Sequence, residues 1–120
     1  MAAGSDVAKR LNLKPGMKAR VVGKPADVNL VGMPATGSAK AEAVIVFVKT
    51  VAEVESRARP ATDAAKEDRI AWIAYPKAGK LDTDLNRDIL WRHLLGRGIQ
   101  GVRQVALDEV WSAMRFRPKK

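Results

Sequence analysis

The 120-residue chain contains no cysteine and only one histidine, His93. The absence of thiols excludes disulfides, thiolate metal sites and cysteine nucleophiles. A single histidine is too few for the imidazole-rich sites that hold most transition metals, so we expect no metal. Fully apolar runs such as residues 43–48 are far shorter than the roughly 20 residues that span a bilayer, and the first residues lack a signal-peptide core. The sequence therefore predicts a cytoplasmic protein without membrane contact.

The chain also has few acidic residues. It contains 13 Asp and Glu and 22 Lys and Arg, which gives a net charge of +9. A basic balance favours anionic partners, which here means a small anionic ligand, an acidic protein or nucleic acid. The basic residues are spread along the chain rather than clustered, which is also typical of a well-solvated basic surface. Nucleic-acid binding is therefore an alternative and not the first interpretation.

The pattern of apolar residues predicts a single α/β domain over residues 1–120. Five segments are predicted as strands: residues 17–22, 43–48, 70–75, 100–107 and 110–116. The second and third are apolar at successive positions, which indicates strands covered on both faces. The fourth and fifth are joined by a short turn and predict a terminal antiparallel hairpin.

Helix signals lie between the strands. A short helix is predicted over residues 6–13. Residues 50–53 form a capping box, and Pro60 must end or kink the helix that follows it. The run Asp82-Thr83-Asp84 predicts a helix start, and that helix extends to about Leu95 before Gly96 or Gly98. Residues 25–42 are predicted to form a long loop, and residues 117–120 a flexible basic tail.

Four pieces of the chain carry a resemblance: LNLKPGMKARVVGKP, AVIVFVKT, AWIAYPK followed by TDLNRD, and RQVALDEVWSAMRFRP. On these pieces the chain resembles a domain-of-unknown-function family of short bacterial proteins. The succession of elements is also similar to the C-terminal half of Rossmann-like methyltransferases. That similarity implies a reduced Rossmann-like three-layer sandwich with about five strands, in the order 1-2-3-5-4, and the last strand antiparallel.

The methyltransferase resemblance does not extend to cofactor binding. Where those enzymes carry a glycine-rich loop after the first strand, this chain reads Val22-Gly23-Lys24-Pro25, without a G-x-G spacing. The unit that would supply an acidic residue for a ribose is missing as well. We therefore expect no cofactor.

Basic residues follow the predicted parallel strands, and ligands of open α/β sheets bind beyond the carboxyl ends of the strands. Two predicted helix N-termini point the same way and offer amide donors. The candidate anion-binding residues are Lys24, Lys49, Thr50, Lys77, Lys80, Thr83 and Arg87. In the alternative interpretation, the lysines only solvate loop ends, and Asp82 and Asp84 neutralise the nearest of them.

The first functional interpretation is a non-enzymatic binding or regulatory module for an anionic ligand or an acidic partner. One alternative is a small enzyme that uses Lys77, Asp84 as a base and Arg87 as an anion clamp. Another is a non-specific nucleic-acid binder. We assign no catalytic residue, because Ser112 lacks the G-x-S-x-G context of a nucleophile.

Two predictions concern contacts made by apolar side chains. The tryptophans Trp72, Trp91 and Trp111 are predicted to be core or interface anchors. Apolar residues on two sides of the helix after the third strand also predict a homodimer.

Overall fold

The structure is a computed structural model that describes Leu11 and residues 19–24, 41–77, 83–107 and 109–118. These residues form five strands and three helices. The strands are β1 (Ala19–Val22), β2 (Ala43–Phe47), β3 (Ile70–Pro76), β4 (Ile99–Ala106) and β5 (Trp111–Pro118). The helices are α1 (Val51–Arg57), α2 (Arg59–Lys66) and α3 (Arg87–Leu95).

The strands form one mixed sheet in the order β1-β2-β3-β5-β4. β1, β2 and β3 are parallel neighbours, and β5 is antiparallel to both β3 and β4. This is the predicted strand order, and its physical cause is visible in the side chains. All five residues of β2 are buried, as its two apolar faces require, whereas β4 is polar along its middle and forms an edge.

The three helices pack on one face of the sheet. Val54 of α1, Ala61 of α2 and Leu90 of α3 lie in one buried cluster with Val46 and Ile73 of the central strands. The opposite face is a second cluster, in which the rings of Phe47 and Trp111 meet edge to face with centroids 5.3 Å apart. The predicted third layer would cover this second face. Leu11 is the residue of that layer that the structure describes, and its carbonyl accepts a hydrogen bond from Trp72 Nε1 at 3.0 Å.

The predicted capping box begins α1. The Thr50 side chain accepts from the amide of Glu53 at 3.2 Å, while the Glu53 carboxylate accepts from the amide of Lys49 at 2.6 Å. The reciprocal bond thus reaches one residue further back than the motif requires. Pro60 lies in the first turn of α2, where its missing N–H costs nothing, and the helical segment is divided there as predicted.

The helix α3 begins later than the sequence predicts. Its N-cap is Asn86, whose Oδ1 accepts from the Ile89 amide at 2.9 Å. Thr83 and Asp84 lie before the helix and contact α1 instead. The Thr83 hydroxyl donates to the Lys49 carbonyl, and Asp84 accepts from the Val51 amide at 2.9 Å. The prediction of a start at residues 82–84 is therefore wrong. The Asp84 carboxylate binds an amide in the first turn of α1, which has no partner within its own helix, and so does not cap α3.

The end of β5 also differs from the prediction. Arg117 and Pro118, which the sequence assigns to a tail, are the last residues of this strand. Arg117 binds Asp68 through two hydrogen bonds of 3.1 and 3.2 Å, and that bond lowers the pKa of Asp68. The predicted helix over residues 6–13, apart from Leu11, and residues 25–40 of the predicted loop lie outside the described residues.

Candidate functional site

The predicted lysines follow the carboxyl ends of parallel strands, but they do not all line one cavity. Lys24 follows β1, Lys49 follows β2 and Lys77 follows β3. Lys77 and Arg87 line the same cavity at the end of β3. Lys24 and Lys49 do not line it.

The two predicted threonines serve the fold rather than the cavity. As described above, Thr50 caps α1, and Thr83 bonds to the carbonyl of Lys49. Lys80 lies outside the described residues. Of the predicted anion-binding set, the structure therefore brings Lys77 and Arg87 together and directs the two threonines elsewhere.

We name this cavity the α3 pocket. It encloses about 260 Å³ and is lined by Tyr75, Lys77, Asn86, Arg87, Asp88, Gln104 and Ser112. Tyr75 lies on the face of β3 that packs against the helices, and Lys77, the residue after the strand, lines the same cavity. Ser112 stands opposite Tyr75 in the β3–β5 register, and Asn86, Arg87 and Asp88 line the cavity from the start of α3.

Tyr75 is the most buried polar side chain of the α3 pocket, with only 2% of its surface exposed. Gln104 Nε2 donates to the phenol oxygen at 2.7 Å. Burial raises the pKa of Tyr75 to about 12, with Arg87 acting in the opposite direction and Asp88 in the same one. The phenol therefore stays protonated at neutral pH, and its own O–H remains a donor for another acceptor.

Ser112 supplies a second hydroxyl to the α3 pocket. The residue is 6% exposed, and it lines the cavity. Among the described residues, the buried side-chain atom without a hydrogen-bond partner is Arg115 Nε and not this hydroxyl. The Ser112 O–H can donate to a ligand in the pocket.

The charges of the α3 pocket are Lys77, Arg87 and Asp88. Arg87 Nε lies 3.5 Å from Asp88 Oδ1, and both side chains are largely exposed, so this ion pair is weak. The guanidinium keeps its terminal nitrogens as donors beyond that contact. One ammonium group, one guanidinium group and two hydroxyls thus line a pocket with one carboxylate, and this excess of donors suits an oxyanion.

Asp84, which the enzyme alternative requires as a base, does not line the α3 pocket. Its carboxylate accepts from the amide of Val51, as described above. The structure therefore does not bring Asp84 together with Lys77 and Arg87.

Within the residues that the structure describes, no group of three or more His, Asp or Glu side chains is placed to hold a metal ion. His93 instead contacts Glu55, with Nδ1 3.0 Å from Oε1. None of the described helices is long and apolar enough to cross a membrane.

Sequence reasoning missed five of the lining residues, which are Tyr75, Asn86, Asp88, Gln104 and Ser112. The period-2 alternation of β3 was a usable signal for Tyr75, since it places this residue on the same face as Ala71 and Ile73. Gln104 and Ser112 reach the pocket only through the register of the hairpin, which the sequence does not specify.

No protein-family model and no curated protein matches the chain. The resemblance to a bacterial family of unknown function therefore stays a prediction.

Proposed function

We propose that the protein is a non-enzymatic binding module that captures a small oxyanion, such as a phosphoryl group, in the α3 pocket. The observation that carries the proposal is the convergence of donors. Lys77, Arg87, the protonated phenol of Tyr75 and the hydroxyl of Ser112 line one cavity of about 260 Å³. Charge-assisted hydrogen bonds from such groups are the strongest that proteins offer to oxyanions.

The start of α3 supports the same ligand. Asn86 satisfies the amide of Ile89, and the amides of Arg87 and Asp88 belong to the first turn, where helical amides have no partner within the helix. The helix dipole adds positive potential at that end. Anions bind at helix N-termini for these two reasons, and here basic side chains and hydroxyls line the same cavity.

The chemistry of the lining favours binding over proton transfer. A general base works best when its pKa is near the working pH. The pKa of Tyr75 is raised to about 12, so the phenol does not ionise under ordinary conditions. Asp88 is largely exposed and is paired with Arg87, with Arg87 Nε 3.5 Å from Asp88 Oδ1. These residues hold and orient an anion more readily than they activate a nucleophile.

Titration calorimetry with inorganic pyrophosphate tests the proposal. We expect binding by the natural sequence and a loss of about 10-fold or more in Lys77→Ala and in Arg87→Ala, since hydrogen bonds to charged groups are worth about 1.5–3 kcal/mol. The matched control is Arg59→Ala, which removes one positive charge from an almost fully exposed site on α2. This control should bind pyrophosphate as the natural sequence does. Equal losses in all three variants would show that only the overall charge attracts the anion.

A further inference from the structure

A second cavity adjoins the α3 pocket. It encloses about 190 Å³ and is lined by Arg87, Trp91, Gly101, Val102, Arg103, Gln104 and Met114. We name it the Trp91 groove. Arg87 and Gln104 line both cavities, so the groove continues directly from the anion site. Each cavity alone is smaller than the roughly 300 Å³ at which pockets for drug-sized ligands begin, and the two together exceed that size.

Trp91 differs from the other two tryptophans of the chain. Trp72 and Trp111 are buried in the sheet face away from the helices, whereas Trp91 is 36% exposed. It lies one helical turn after Arg87, so the two side chains are neighbours on the surface of α3. Of the two predicted places for Trp91, core or interface, the core is therefore excluded and the interface stays a prediction. Its indole ring borders the groove.

The floor of the Trp91 groove is apolar and includes a flexible methionine side chain. A Cβ atom on Gly101 would lie 2.6 Å from Met114 Sδ, so the missing side chain of this glycine leaves room for the buried methionine. Val102 has no partner in the β4–β5 register, and the resulting bulge leaves its side chain exposed. An indole ring beside a thioether and a bulged strand forms a slot for a flat, apolar ring.

The outer side of β4 adds polar groups to the same slot. β4 is the terminal strand of the sheet and pairs only with β5 among the described strands. Around Val102 and Arg103, the outward N–H and C=O groups pair with no strand among the described residues, so they can meet the edge of a ring that carries donors and acceptors. A nucleobase has such an edge, and a plain hydrocarbon ring does not.

We propose that the ligand of the α3 pocket is a nucleotide, whose phosphoryl group lies among Lys77, Arg87 and Ser112 and whose base stacks on Trp91. This inference rests on the proposed function, because it takes the α3 pocket as the phosphoryl site. The observation behind this inference is that the two cavities are continuous. A single ligand that fills both must have a compact oxyanion and a flat ring a short distance apart. A base on an aromatic side chain strengthens binding about 5- to 150-fold.

Three probes separate the two contributions by titration calorimetry: inorganic pyrophosphate, adenosine diphosphate and adenosine. We expect adenosine diphosphate to bind about 5- to 150-fold more tightly than pyrophosphate, and adenosine alone to bind weakly. In Trp91→Leu the advantage of adenosine diphosphate should disappear while the affinity for pyrophosphate stays unchanged. Trp91→Phe keeps a ring and should retain part of the advantage.

The outcomes distinguish the two proposals. If pyrophosphate binds and adenosine diphosphate binds no more tightly, or if Trp91→Leu leaves their ratio unchanged, the nucleotide assignment is wrong and the anion site stands. If pyrophosphate does not bind at all, both proposals fail. A short single-stranded oligonucleotide that binds far more tightly than adenosine diphosphate would also overturn the assignment, in favour of a nucleic-acid surface.

Discussion

Tyr75 should ionise about two pH units later in the folded protein than in the unfolded chain. Burial raises its pKa from 10.0 to about 12, so the folded protein holds the phenolic proton more tightly. At 1.36 kcal/mol per unit, this difference corresponds to roughly 2–3 kcal/mol of the free energy of unfolding. The stabilisation is fully present below pH 10.0 and is lost as the pH rises through about 12.

The chain suits this measurement because Tyr75 is its only tyrosine. The ultraviolet absorbance of tyrosinate, followed against pH, therefore reports this one side chain. The same titration in concentrated urea gives the reference for the unfolded chain, and Tyr75→Phe gives the background. A native protein whose phenol titrates together with the urea reference would refute the burial of Tyr75, and with it the protonated donor of the α3 pocket.

Three further substitutions test individual contacts. Asp84→Ala removes the carboxylate that accepts from the Val51 amide at the start of α1 and should lower the free energy of unfolding in urea by about 0.5–1.5 kcal/mol, with no change in pyrophosphate affinity. Gly101→Ala forces Met114 to move and should cost about 1–3 kcal/mol in the same assay, whereas Gly96→Ala, whose new Cβ atom meets nothing closer than 3.7 Å, should be tolerated. Asp88→Asn removes the one carboxylate of the α3 pocket and should tighten pyrophosphate binding about 1.5- to 5-fold by calorimetry, and a weaker affinity would contradict the assigned charge balance.

The sheet could be predicted because its signals are local and consistent. Residues 43–47 are apolar on both faces, so they have only one place in a sheet of this size, which is its interior. Pro60 marks the break between α1 and α2 through its missing N–H alone. The short hairpin connection makes β4 and β5 antiparallel neighbours without reference to the rest of the chain.

The site could be predicted only in part because its remaining members depend on distant contacts. Lys77 and Arg87 were found from their positions after a strand and at a helix start. The start of α3 depends on Asp84, whose side chain could cap a helix as well as that of Asn86. Its carboxylate instead accepts from an amide of α1 that lies 33 positions away in the sequence. Ser112 lies beside Tyr75 only in the observed strand register, and a slip of one residue would turn it to the other face.

The most direct test of the anion site is to locate the anion by nuclear magnetic resonance. Pyrophosphate would be titrated into uniformly ¹⁵N-labelled protein, and the shift of each assigned amide followed. We predict that the largest shifts occur at Lys77, Arg87 and Ser112, with saturation at a common affinity. Shifts that are largest near Lys24 and Lys49, or that spread evenly over the basic residues without saturating, would contradict an oxyanion site in the α3 pocket.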